Sequence, residues 1–146
     1  ALGNARAGLD AAIELAGGKK PRLDTVLLRD NPVVQQQVGK AEAIWGSARA
    51  FLLDNASAAW KGACRNGALT LEERIRLRLA ASNAIRMAAE VVDIGYNLCG
   101  SNAIFAHNPV HRRFQDAHAI TQQIQGRLAH YETAGQFFLG LEPEGN

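Results

Sequence analysis

Strand signals are nearly absent from this chain, and so are the cysteine pairs that staple small domains. The two cysteines, Cys64 and Cys99, sit inside helical patterns with no C-x-x-C, which excludes a disulfide framework and a thioredoxin-type redox motif. They read as reduced, buried thiols of a cytoplasmic protein. No apolar run approaches the roughly 18–20 residues of a membrane span, and no signal-peptide pattern is read, so no membrane partner is expected. Charge of one sign is missing too. Sixteen Lys+Arg against 14 Asp+Glu leave a formal net charge of +2, without the basic footprint of a nucleic-acid binder. Glu-x-x-His does not occur. Di-iron sites in four-helix bundles need that motif on two helices, so no metal is expected.

What is there is helix. The 146 residues make one domain with a real core. A first helix runs from Ala1 to about Ala16, with Leu2, Leu9, Ala12, Ile13 and Ala16 on one side. Gly17-Gly18 should end it in the left-handed C-cap conformation, before a polar connection over 18–30. The second helix opens at "DNPVV", with Asn31 as N-cap and Pro32 in the first turn. Its apolar series from Val34 through Ala41, Trp45, Ala48 and Ala59 keeps a 3.6-residue period until Asn66-Gly67. The third opens at "TLEE", where Thr70 and Glu73 make a capping box, and stops at Gly100. The fourth repeats the Asn-Pro device at Asn108-Pro109 and should continue through Ile124 and Leu128 to Gly140. The last three helices would be roughly 40–50 Å long and the first about half that. The expected fold is all-α, an antiparallel up-down four-helix bundle with three long helices. The uncapped start at Ala1 suggests a chain cut from a longer one.

Polar chemistry is concentrated at one joint, "GSNAIFAHNPVHRRFQDAHAITQ", residues 100–122. A Ser101–His118–Asp116 triad is disfavoured, because Asp116 and His118 are two apart and point to different sides of a helix. Arg112 and Arg113 fall in the first turn of the fourth helix, where cations oppose the dipole unless an acidic partner or a phosphate answers them. Arg74 and Arg78 share a face, and Glu72 stands four before Arg76, the arrangement of a solvated, salt-bridged surface. Trp45 and Trp60 suit core or bundle-interface packing.

This joint, followed by "YETAGQFFLGLEPEG", resembles the C-terminal helical domain of the acyl-CoA dehydrogenase superfamily, most of all its branch of two-component flavin-dependent monooxygenases. The residues carrying the resemblance are Gly100 to Phe105, Asn108-Pro109, Arg112, Asp116 with His118, Tyr131 to Gly135, and Leu139 to Pro143. The front of the chain resembles the family's first bundle helix. The resemblance implies a longer flavoenzyme in which a helical domain and a β domain precede this bundle. It implies a flavin, FMN or FAD, held between domains, with reduced flavin supplied by a separate reductase. It also implies a homo-oligomer, dimer or dimer of dimers, joined through the bundles. Ser101, Asn102 and Phe105 would edge the flavin ring, and Arg112 would answer a flavin phosphate or a subunit carboxylate.

The chain departs from the family at two points. Gln115 stands where Arg often precedes the Asp, and Gln123 where a second histidine often follows. Glutamine hydrogen-bonds but is no general base. Gln123 is therefore assigned to cofactor contact, and His118 is the remaining candidate acid or base, with a purely structural hydrogen-bonding role as its alternative. The Arg-Asp-Ala and Glu-Gly-Thr signatures of acyl-CoA dehydrogenases proper are missing, so acyl-thioester desaturation is the second reading and a non-enzymatic helical interaction module the third. The chain alone should bind flavin weakly, and its Ala-rich faces should drive self-association.

Overall fold

The computed structural model describes residues 1–21 and 25–143. Residues 22–24 of the polar connection and 144–146 of the tail lie outside the described residues. The helices are α1 (Leu2–Gly18), α2 (Pro32–Asn66), α3 (Leu71–Cys99), α4 (Pro109–Thr121) and α5 (Ala129–Phe138), with 3-10 turns at Leu28–Asp30, Gly100–Ile104 and Ile124–Gly126. Among the described residues there is no strand, and no helix is long and apolar enough to cross a membrane.

Cross-helix contacts fix the direction of each rod. Trp45 Nε1 donates to Leu2 O at 3.0 Å and Arg6 pairs with Glu42 at 2.8 Å, so α2 runs against α1. Lys40 meets Glu90 while Gly62 lies against Glu73, so α3 runs against α2. His111 of α4 reaches Ala103 and His118 reaches Asp93, so α4 runs against α3. The result is the expected up-down bundle, with α1 and α3 parallel across its diagonal. α3 touches every other helix. Its buried face is built mostly of small and β-branched residues, Ala80, Ala84, Ala88, Ala89, Val91, Val92 and Gly95. Ala88, Ala89, Val91 and Val92 join Ala5 and Leu9 of α1, Ala41 of α2 and Ala117 of α4 in one core cluster. The crossing with α1 is close: a Cβ on Gly95 would stand 3.5 Å from the Gly8 carbonyl.

The capping chemistry read from sequence is present. Asn31 and Asn108 each accept from the backbone N–H two residues on, at 2.8 and 2.9 Å, ahead of a first-turn proline. Thr70 and Glu73 close both halves of their box. Gly67 takes the left-handed conformation, φ 74°. The end of α1 differs. Gly17 and Gly18 stay helical, and Lys19 ends the helix in extended conformation, its N–H on Leu15 O at 2.9 Å. The Lys19 ammonium donates to Cys99 O at 2.8 Å, so the exit from α1 is set by a partner on α3. Cys99 is buried, and burial pushes its thiol pKa up, as expected of an inert thiol. Cys64 is exposed, against expectation, because it lies on the outer side of α2. Trp60 is 73% exposed and so does not pack in the core; Trp45 is the tryptophan against it.

The largest departure is the fourth helix, which is not one rod. It breaks after Thr121, turns through Ile124–Gly126 and resumes at Ala129. Two α3 side chains hold the break. Ser82 Oγ donates to Gln125 O at 2.7 Å, and Arg86 Nε donates to Gly126 O at 2.9 Å. A continuous helix would give those carbonyls to the backbone N–H groups of Ala129 and His130. Gly126 fits because a Cβ there would lie 2.9 Å from Thr121 O and 3.2 Å from Ile85 Cγ2. His130 completes the arrangement. The Ser82 hydroxyl proton is given to Gln125, so Ser82 Oγ accepts from His130 Nδ1–H at 2.8 Å.

Two outcomes follow for stability. Gly126→Ala overpacks this turn against backbone and should cost about 1–3 kcal/mol in urea denaturation. Burial, then the charges of Arg78 and Arg127, lower the His130 pKa, opposed by the Gln125 carbonyl. The unfolded chain therefore binds more protons below the ordinary value of about 6.5, so this contribution is present above that pH and lost as pH falls. His130→Gln should flatten the fall in urea midpoint between about pH 7.5 and about pH 5.5 relative to the parent chain.

Candidate functional site

The joint between α3 and α4 is assembled by local rules and then pinned by partners. Gly100 leaves α3 with φ 55°, which favours glycine. Asn108, buried, caps α4. His111 Nδ1–H donates to Ala103 O at 3.0 Å, which leaves Nε2 to accept from the Gln115 amide at 3.2 Å. Asn4 on α1 donates to Arg113 O at 2.8 Å. Glu14 and Leu15 of α1, with Asn102, His107 and Pro109 of the joint, line an open groove of about 450 Å³.

Ser101, Asn102 and Phe105 are exposed at this end of the bundle. Among the described residues, no hydrogen bond is formed by the Ser101 hydroxyl or the Asn102 amide. The Phe105 ring, 52% exposed, lies nearly parallel to the His107 ring, centroids 5.6 Å apart and planes 14° apart. Free donors and acceptors beside flat, uncovered rings suit the edge and face of a planar heteroaromatic group, so these residues fit a flavin. Arg112 projects to solvent and pairs with Asp116 at 2.8 Å, an i,i+4 bridge. The acidic partner that its position demands is thus four residues away. Gln123 lies past the far end of α4, about 22 Å along the helix from Asn108. It borders a separate groove with Leu2, Leu52, Ile85 and Ile120. The assigned residues therefore form a line along α4 with a cluster at one end.

His118 sits between those ends. Asp116 points away to Arg112, as the two-residue spacing predicts, and His118 Nε2 instead meets Asp93 Oδ1 on α3 at 2.8 Å. The Phe114 ring packs on His118 with centroids 4.5 Å apart and on Tyr96 at 4.3 Å. Asp93 and Tyr96 are the residues that sequence reasoning missed. The available signal was their three-residue spacing, which puts both on one side of α3, matching Phe114 and His118 four apart on α4.

Residues 1–126 match the family described as acyl-CoA dehydrogenase, C-terminal domain. The chain belongs to that family. It is 34% identical over 142 residues to an indole-3-acetate monooxygenase of Pseudomonas putida, covering 97% of this chain and 36% of that protein. It is 29% identical over 121 residues to a pigment production hydroxylase of Rhodococcus erythropolis, covering 81% of this chain and 30% of that one. Among solved structures, XiaF from Streptomyces sp., in complex with FADH2 and glycerol, superposes with a TM-score of 0.91 at 20% identity, over 99% of this chain and 37% of its own. The HsaA monooxygenase of M. tuberculosis gives 0.84 at 21%, over 99% and 36%. Both structures share this fold, and the chain spans little more than a third of the length of the relatives it matches.

The Arg112–Asp116 bridge is exposed and local, so Arg112→Ala should change unfolding free energy by no more than about 0.5 kcal/mol in chemical denaturation. A loss of flavin affinity in that variant would then report on binding and not on folding.

Proposed function

We propose that this chain is the C-terminal domain of a flavin-dependent monooxygenase that oxygenates a small aromatic substrate. The observation that carries the reading is the joint itself: uncommitted Ser101 and Asn102 side chains beside exposed Phe105 and His107 rings, at the end of an otherwise close-packed bundle. Relatives matched over most of this chain are named as a monooxygenase and a hydroxylase. XiaF was solved in complex with FADH2, which favours FAD over FMN here.

Reduced flavin, when bound, supplies the two electrons that let O2 place one oxygen atom on the substrate and release the other as water. Ser101 and Asn102 hold the ring edge, and Phe105 covers part of a face. Arg112 offers its charge to a phosphate in exchange for Asp116, and Gln123 contributes a hydrogen bond from the opposite end of α4. His118 takes or returns the substrate proton. A separate reductase delivers the reduced flavin, and the remaining contacts come from preceding domains, so the chain alone binds flavin weakly. Self-association is part of the same reading, supported by exposed Phe51, Leu53, Trp60, Phe138, Leu139 and Leu141.

The test uses the full-length protein with FADH2, labelled O2 and indole-3-acetate as the first probe, followed by other small aromatics. One labelled oxygen in the product supports the reading. Anaerobic bleaching of oxidised flavin by an acyl-CoA, with no oxygenation, would replace it by desaturation. In His118→Ala, flavin affinity should hold while oxygenation falls by roughly 10²–10⁴. Unchanged turnover would return His118 to a structural role.

A further inference from the structure

We infer that Asp93 is a positioning residue that holds His118 as its Nε2–H tautomer, so that Nδ1 is the atom through which His118 accepts a proton. This deepens the proposed reading and rests on His118 as the proton-handling group.

The contact is 2.8 Å from His118 Nε2 to Asp93 Oδ1. An ionised carboxylate only accepts, so in the neutral imidazole the shared proton sits on Nε2. Two further contacts hold the ring plane. Phe114, one turn earlier on α4, packs on it with centroids 4.5 Å apart, and Tyr96, three residues after Asp93 on α3, backs Phe114 at 4.3 Å. Each helix thus supplies one polar and one aromatic member. Among the described residues no hydrogen-bond partner meets Nδ1, and the His118 side chain is 46% exposed. One nitrogen is committed and the other is open.

The other hydrogen-bonded histidines are arranged differently. His111 uses both nitrogens, on Ala103 O and the Gln115 amide. His130 turns its Nδ1 to Ser82 inside the packing of α5 on α3. Among the described residues, only the Asp93–His118 pair joins an acidic orienter to an imidazole with a free acceptor, the arrangement in which a carboxylate sets the tautomer for acid–base work. The pair is nearly half exposed on both sides, 46% and 42%, so it contributes little to folding. Removing Asp93 therefore tests the ring without dismantling the bundle.

The experiment is ring-nitrogen NMR of the 15N-labelled chain, read on the neutral form of the ring. His118 should show a protonated Nε2, exchanging slowly with water, and an unprotonated Nδ1. In Asp93→Asn the amide can donate as well as accept, and in Asp93→Ser the charge is gone. In both, the Nε2 proton should exchange about threefold faster, the scale of one exposed ion pair, and the Nδ1–H form should gain population. Retained Tyr96–Phe114 ring contacts check that the fold is kept. A dominant Nδ1–H form in the parent, or unchanged tautomer and exchange in both variants, overturns the assignment. The readout needs neither flavin nor turnover, so its failure is separable from failure of the monooxygenase reading.

Discussion

Everything in this bundle hangs on the face that α3 buries against its neighbours. Ala80, Ala84, Ala88, Ala89 and Gly95 keep that face shallow, and Val91, Val92 and Ile94 fill what remains. Small side chains let helix axes approach closely, and close approach makes the register of each neighbour a matter of a few tenths of an ångström. Gly8 and Gly95 at the α1 crossing are the clearest case, with the Gly8 carbonyl in van der Waals reach of a Cβ that Gly95 lacks.

That register decides where the few polar groups on α3 act. Ser82 and Arg86 face the last segment and take carbonyls that a helix would otherwise use, which is why the chain turns at Ile124–Gly126. Asp93, roughly two turns further along, faces α4 and takes His118. One helix therefore both breaks its partner and orients the imidazole on it. The polar joint after α3 is the free end of the same rod, anchored by Lys19 on Cys99 O and by His111 on Ala103 O.

In the proposed function, the distribution of chemistry along α4 belongs to a domain that completes a site instead of enclosing one. Ser101, Asn102 and Phe105 offer exposed edges at one end, Arg112 and His118 follow along the helix, and Gln123 stands at the other end. No described cavity gathers them.

Much of the fold was legible in the residues because its signals are local. Asn-Pro starts, the Thr70–Glu73 box, the left-handed Gly67 and the 3.6-residue periods all act within a turn or two, and each stands where the sequence put it. The joint was legible for the same reason, and so was the failure of Asp116 to reach His118. What the sequence could not decide involves partners far along the chain. Nothing in "QQIQGRL" demands a break beyond the weak helix penalty of Gly126. The break exists because Ser82 and Arg86, some forty residues earlier, compete for its carbonyls. The helical end of α1 and the exposure of Cys64 and Trp60 likewise depend on which surfaces meet. The acid beside His118 is Asp93, 25 residues away. Periodicity puts a side chain on a face of its own helix, but only packing decides which face of another helix it meets.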